Sequence, residues 1–122
     1  MSAQEAFAVR VVRTGDTLAT ACGLANSFWT RFWGLMGKPS LPDGGALLIV
    51  PCNSVHCFGM KFAIDVVYLA RDGEVLRIVP DMAPGTIGPL VRGARAVLEL
   101  PAGTVGAAGV VVGDRLEGLP AL

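Results

Sequence analysis

The side chains with the most chemical potential lie together, between Pro51 and Asp65, in the stretch PCNSVHCFGMKFAID. It holds two of the three cysteines (Cys52 and Cys57), the only histidine (His56), one of four methionines (Met60) and an aspartate at the mouth of an apolar run. Cysteine, histidine and methionine close together suggest a soft-metal site. A straight strand does not gather them. Extended from Cys52 to Met60, the chain would put Cys52, Ser54, His56, Phe58 and Met60 on one face. Neighbours on that face are about 6.6 Å apart, so Cys52 and His56 would stand roughly 13 Å from each other. Ligands of one metal lie only about 2.0–2.3 Å from it. A bend at Gly59, a loop at Asn53 or a ligand from Cys22 would be needed, so no metal and no cofactor is expected.

Thiol catalysis meets a similar obstacle. His56 and Cys57 are adjacent, so on a strand they point to opposite faces. Pairing His56 with Cys52 or Cys22 would need the fold to join them, and no oxyanion loop is evident. Asp65 stands beside the apolar run from Ile64 to Ala70, where a carboxylate is costly unless paired or hydrogen-bonded. Lys61, Arg92, Arg95 and His56 are candidate partners. The favoured expectation is a structural carboxylate that ties down segment 53–60 by accepting backbone N–H groups. Glu99, between Leu98 and Leu100, reads as a surface-facing side chain on a half-buried strand. Asp114 after Gly113 reads as a turn residue. No phosphate-loop, dinucleotide, H-E-x-x-H or G-x-S-x-G pattern is present.

The elements that must position these residues are short and apolar. Phe7–Val12 and Leu18–Leu24 read as strands around a Thr14-Gly15-Asp16 turn, burying Cys22. Asn26 or Ser27 caps a helix over Ser27–Met36, whose aromatic residues Phe28, Trp29, Phe32 and Trp33 recur at helical spacing. That helix is expected to plug the sheet as core. Ala46–Val50 and Ile64–Ala70 are unbroken apolar runs, as in strands buried on both faces. Arg71-Asp72-Gly73 turns the chain back into Glu74–Val79, a strong hairpin signal. Pro80–Gly93 carries three prolines and three glycines and is expected to lack regular structure. Arg95–Leu100 is a strand, Thr104–Ala108 one helical turn, and Val110–Leu119 closes the chain around a Gly113-Asp114 turn.

At 122 residues the chain fits one domain. It is 52% hydrophobic and only 16% charged, so either little apolar surface is spare or some of it meets a partner. Ten basic and ten acidic residues cancel, with no basic run, so the footprint of a nucleic-acid binder is missing. Three cysteines are not a secreted disulfide set. The first residues lack a signal-peptide pattern, and no apolar run approaches the roughly 20 residues of a membrane span. A cytoplasmic protein is expected.

Several blocks, taken in order, carry a resemblance. They are Phe32–Gly37 (FWGLMG), Gly45–Ile49 leading to Pro51-Cys52, Ser54-Val55-His56, Phe58–Phe62, Ile64–Tyr68, Asp72-Gly73, Val97–Gly103 (VLELPAG) and Gly113-Asp114. Together, from about Phe7 to Leu116, they resemble the bacterial and archaeal domain-of-unknown-function family 192. The resemblance implies a small, mostly β domain with a short helix and a barrel-like sheet, with the segment around His56, Met60 and Asp65 as its signature. It brings no catalytic residues to carry over. Cys57 stands where similar sequences are expected to hold threonine, which counts against a role for that thiol.

These readings combine into an α+β, β-dominated fold: one domain over residues 1–122, a compact barrel-like and mostly antiparallel sheet with one short amphipathic helix. The expected function is a non-catalytic accessory module binding an unknown small molecule or protein. Its site would lie between Val55–Phe62 and the Pro80–Gly93 loop, drawing on His56, Met60, Asp65, Cys52 and Phe58. The alternatives are a small hydrolase or thiol enzyme using His56 with a cysteine, and a structural protein that self-associates as a homo-oligomer.

Overall fold

A computed structural model describes residues 6–25, 44–54 and 62–122 of the chain. The aromatic helix expected over Ser27–Met36 lies outside the described residues. Among those described, seven strands form one sheet. Its strands are β1 (Phe7–Val11), β2 (Thr17–Ala25), β3 (Gly45–Ile49), β4 (Ile64–Leu69), β5 (Val75–Met82), β6 (Ala96–Pro101) and β7 (Leu116–Glu117). They lie in the order β5-β4-β6-β3-β2-β1-β7. The β2–β3 pair is parallel, and the other pairs are antiparallel.

The unbroken apolar runs go to the middle of this sheet. All six residues of β4 are buried, as are five of six in β6. Strands flanked on both sides and covered on both faces have no polar side to offer, so alternation disappears from their sequence. One face gathers Val9, Val11, Leu18, Cys22, Leu48, Val67, Leu69, Leu98 and Leu100. The opposite face gathers Ile64, Val66, Tyr68, Val97 and Met82, with Leu47, Cys52, Phe62, Val79, Val91 and Ala94 packed against them.

The sheet curls until its ends meet. The Val75 N–H donates to the Asp114 carbonyl at 2.7 Å, Gly113 donates back to Val75 at 2.9 Å, and Leu116 donates to Gly73 at 3.0 Å. Glu74 and Arg115 form an antiparallel bridge beside them. The expected hairpin sets up this closure. Ala70 donates to Glu74 and Gly73 to Ala70, both at 2.9 Å, making a three-residue turn with Gly73 at φ 88°. A Cβ on Gly73 would stand 2.8 Å from the Leu116 carbonyl oxygen. Glycine there serves both the turn and the close approach of the last strand.

β5 runs further than the sequence suggests. The strand continues through Pro80 to Met82, where irregular structure was expected. β5 is the outermost strand, so a proline lacking its N–H costs no ladder bond on the open side. The register still breaks: Ile64 pairs with Met82 but Val66 pairs with Val79. Two steps on β4 oppose three on β5, which is a bulge at Pro80-Asp81, and Asp81 takes a positive φ of 51°. After β6 comes the short helix α1 (Thr104–Ala108), anchored by buried Val105.

Candidate functional site

β3 ends against the start of β6, and there the chain leaves the sheet. The Val50–Pro51 peptide is cis. The Cys52 N–H donates to the Arg95 carbonyl at 2.9 Å. The long loop after β5 returns to this same corner. Val91 N–H donates to the Asn53 carbonyl at 2.9 Å, and the Tyr68 hydroxyl donates to the Pro89 carbonyl at 2.8 Å. Tyr68 itself is fully buried, so the loop is fastened to the core. Pro51, Cys52, Asn53, Ala94 and Arg95 line an open cleft of about 210 Å³. Beside it the loop carries Ile87 and Leu90, which stay 61% and 73% exposed.

Of the residues expected to form a site, His56, Phe58 and Met60 lie outside the described residues, as do Cys57 and Lys61. Cys52 is half-buried at the cleft, its thiol donating to the Ser54 carbonyl at 2.6 Å. Cys22 is buried, and loss of solvent pushes its thiol up to about 12. A thiol held neutral in this way is no nucleophile. Among the described residues, no group of three or more His, Cys, Asp or Glu side chains could hold a metal ion.

Asp65 is only 1% exposed and does not join Cys52: it shares a face with Val67 and Leu69, opposite the cluster on which Cys52 packs. Its Oδ1 accepts from the Asp81 N–H at 2.9 Å, and its Oδ2 from Gly103 at 3.1 Å and Val105 at 2.9 Å. Asp65 accepts backbone N–H groups, as a structural carboxylate does. Those donors belong to the β5 bulge and the turn into α1; most of the segment 53–60 lies outside the described residues. The bulge supplies the donor, because the positive φ of Asp81 swings its N–H out of the ladder toward the carboxylate. Arg95, a candidate partner, instead donates from Nε to the Leu122 carbonyl at 3.2 Å.

Two other acids depart from their sequence readings. Asp114 is a turn residue, accepting from Val111 N–H at 2.9 Å, but it is also buried and bonded to Arg13. The Arg13 guanidinium, at 2.7 and 3.0 Å, and then the Val111 N–H hold its carboxyl below the usual carboxylate range. Glu99 does not face solvent: it is 3% exposed, and burial pushes its carboxyl up to about 8. The signal was in the apolar run Ala96–Leu98, which Leu100 resumes after Glu99: apolar residues on both sides of the strand imply burial on both faces.

A heavily curled, β-dominated sheet with one short described helix and a loop-lined corner thus defines the class. The chain belongs to domain-of-unknown-function family 192, described as an uncharacterized ACR, which it matches over residues 9–118. It is 32% identical over 111 residues to a UPF0127 protein of Pyrococcus furiosus, covering 87% of this chain and 93% of that protein. A UPF0127 protein of Thermococcus sibiricus is 28% identical over 99 residues, covering 77% of this chain and 63% of that one. Two crystal structures share the fold. A Sinorhizobium meliloti protein, provisionally called a transcription regulator, superposes with a TM-score of 0.83 at 29% identity, covering 97% of this chain and 96% of its own. A protein of unknown function from Novosphingobium aromaticivorans gives 0.80 at 23% identity, covering 90% and 83%.

Proposed function

We propose that the protein is a single-domain, non-catalytic binding module whose ligand or protein partner docks at the corner between the Pro51–Ser54 segment and the loop 83–94. One observation carries the reading. Ile87 and Leu90 are large, apolar and exposed, on a loop fastened to a buried tyrosine and to the Asn53 carbonyl. An apolar side chain held out on a fastened loop loses little entropy on binding and gains by desolvation. Cys52 belongs to this corner, and His56, Phe58 and Met60 follow it closely in sequence. Asp65 lies on the other face and holds the Asp81 N–H, just ahead of the loop.

The partner is read as a small molecule or a protein. The regulator role given to the Sinorhizobium meliloti protein is not carried over, because the sequence has no basic run and its ten basic residues are balanced by ten acidic ones. The Cys22 thiol, buried and outside any disulfide, fits a reducing compartment, in keeping with a cytoplasmic protein. No helix of the described residues is long and apolar enough to cross a membrane.

Titration of nitrogen-15-labelled protein with a fragment library tests the site. Amide shifts are expected at Asn53, Ile87, Leu90, Val91 and Arg95. Leu90→Asp should weaken the responding fragments about tenfold while leaving the melting temperature in place. Shifts confined to another surface, or binding indifferent to that substitution, would remove this corner from consideration.

A further inference from the structure

We propose that the corner between Pro51–Ser54 and the loop 83–94 takes a small carboxylate carried on an apolar chain, with Arg95 and Arg92 holding the carboxylate and Ile87 and Leu90 meeting the chain. The inference rests on the reading of this corner as a binding site and supplies the class of its ligand. It starts from the distribution of charge. Segments 50–54 and 83–95 contain two arginines and no aspartate or glutamate, and the intervening residues 55–61 contain no acid either. Three other arginines are engaged around β1 and β7: Arg10 with Glu117, Arg13 with Asp114 and Arg115 with Asp72. Among the described residues, no carboxylate pairs with Arg92 or Arg95. The acids that flank the loop in sequence do not answer this charge. Asp81 pairs with neither arginine, and Glu99, buried on β6, owes its raised carboxyl to burial alone.

The fold brings the two arginines and the apolar side chains to one place. The Val91 N–H donates to the Asn53 carbonyl at 2.9 Å, and the Ala94 N–H donates to the Val91 carbonyl at 3.2 Å, so residues 91–94 form a turn against the cleft wall. Arg92 is exposed within that turn, and Gly93, at φ 87°, supplies its left-handed position. Asn53, Ala94 and Arg95 line the cleft. Arg95 is half-buried, and its Nε donates to the Leu122 carbonyl at 3.2 Å, which holds the side chain and leaves Nη1 and Nη2 for a ligand. A planar guanidinium matches the two oxygens of a carboxylate. Leu90 sits between Pro89 and Val91, both fastened by hydrogen bonds, and Ile87 precedes them on the same loop. At about 210 Å³ the cleft is smaller than the roughly 300–1,000 Å³ of pockets that enclose a whole ligand. It suits a headgroup and a few carbons, with the rest of the chain over the exposed loop side chains. A sugar phosphate fits poorly, because Ile87 and Leu90 offer its hydroxyls no partner. An anionic membrane fits less well, because two arginines attract it weakly and the cleft would go unused.

The test follows amide shifts of the intact protein at about pH 7 with hexanoate, hexanamide, octanoate and inorganic phosphate, alongside pelleting with phosphatidylcholine vesicles that contain phosphatidylserine. Hexanoate should shift Asn53, Val91, Ala94 and Arg95 and bind at least about fivefold more tightly than hexanamide. Octanoate should bind at least about threefold more tightly than hexanoate, and Leu90→Ser should remove that gain. Arg95→Gln should weaken hexanoate at least about fivefold and leave hexanamide within about twofold. Arg92→Gln alters an exposed side chain, so it should weaken hexanoate about two- to threefold without moving the melting temperature, a readout that stands even where Arg95→Gln fails to fold. Equal binding of hexanoate and hexanamide, indifference to both arginine substitutions, tighter binding of phosphate than of hexanoate, or pelleting with vesicles while free hexanoate stays unbound would each overturn the proposal. Shifts at the corner with neutral fragments alone would overturn only this choice of ligand. Silence of the corner toward every fragment would remove the reading of the corner as well.

Discussion

Asp65 satisfies three backbone N–H groups from two separate parts of the chain, the β5 bulge and the turn into α1. Hydrogen bonds to an ionised group are stronger than neutral ones, and buried donors left without an acceptor are costly. Asp65→Ala should therefore cost about 3 kcal/mol or more in urea unfolding. Asp65→Asn should cost roughly half as much, since one oxygen remains to accept. Hydrogen exchange at Asp81, Gly103 and Val105 should quicken in both; unchanged exchange there would show that the carboxylate does not hold these segments. Glu99 is the converse case, a buried acid with no donor among the described residues. Its carboxyl is raised from an ordinary 4.5 to about 8, so between those values the folded chain holds a proton that the unfolded chain has released. The contribution of Glu99 to stability should thus be fullest below about pH 4.5, fall as pH rises toward 8, and level off above it. In Glu99→Gln this slope should vanish, leaving the variant more stable than the parent at pH 9 by a few kcal/mol, on the order of 1.4 kcal/mol for each tenfold change in proton affinity on folding. Parallel pH–stability curves for the two proteins would contradict that assignment.

At the scale of elements, the shortest strand has a large structural role. β7 pairs only Leu116 and Glu117 with β1, yet it sits where the sheet ends meet. Its exit depends on Gly118, at φ 90°, where a Cβ would collide with the Ala8 carbonyl oxygen and come within 3.2 Å of the Ala8 carbonyl carbon. Backbone atoms on a paired strand have nowhere to move. Gly118→Ala should cost on the order of 2 to 4 kcal/mol, through the left-handed backbone and the clash together. A thermal melt within a degree or two of the parent would mean that β7 can leave β1 at little cost. The Arg13–Asp114 pair reinforces this edge, joining the turn after β1 to the turn before β7.

For the whole molecule, the decisive feature is closure. Bonds from Val75, Gly113 and Leu116 link the hairpin beside β5 to the residues leading into β7, at opposite ends of the strand order. These bonds cover the start of β5, while the edge beyond it, at Pro80–Met82, is blunted by a proline and a bulge. Closure also makes the fold one cooperative unit. The amides of Val75, Gly113 and Leu116 should therefore exchange with solvent on the same timescale as those of β6. Exchange at these three faster by a hundredfold or more would mean that the seam opens independently of the core.

Local pattern in the sequence was enough to determine the strands, the hairpin at Asp72-Gly73, the helical turn at Thr104–Ala108 and the burial of Cys22. Each follows from neighbours within a few residues: apolar runs, turn residues and glycines act over short range. The need of Asp65 for hydrogen bonds was legible for the same reason, since a carboxylate beside an apolar run has to be satisfied. Which donors satisfy it was not legible, because Asp81 and Val105 reach it only through a bulge and a turn, 16 and 40 residues away. Likewise, only the tertiary structure decided that β5 could run through Pro80, that Glu99 would be enclosed between β3 and β4, and that the hairpin would meet the segment before β7. Those outcomes depend on strand order and curl, and the pairing of distant strands is set by packing over the whole sheet, which no short window of residues encodes.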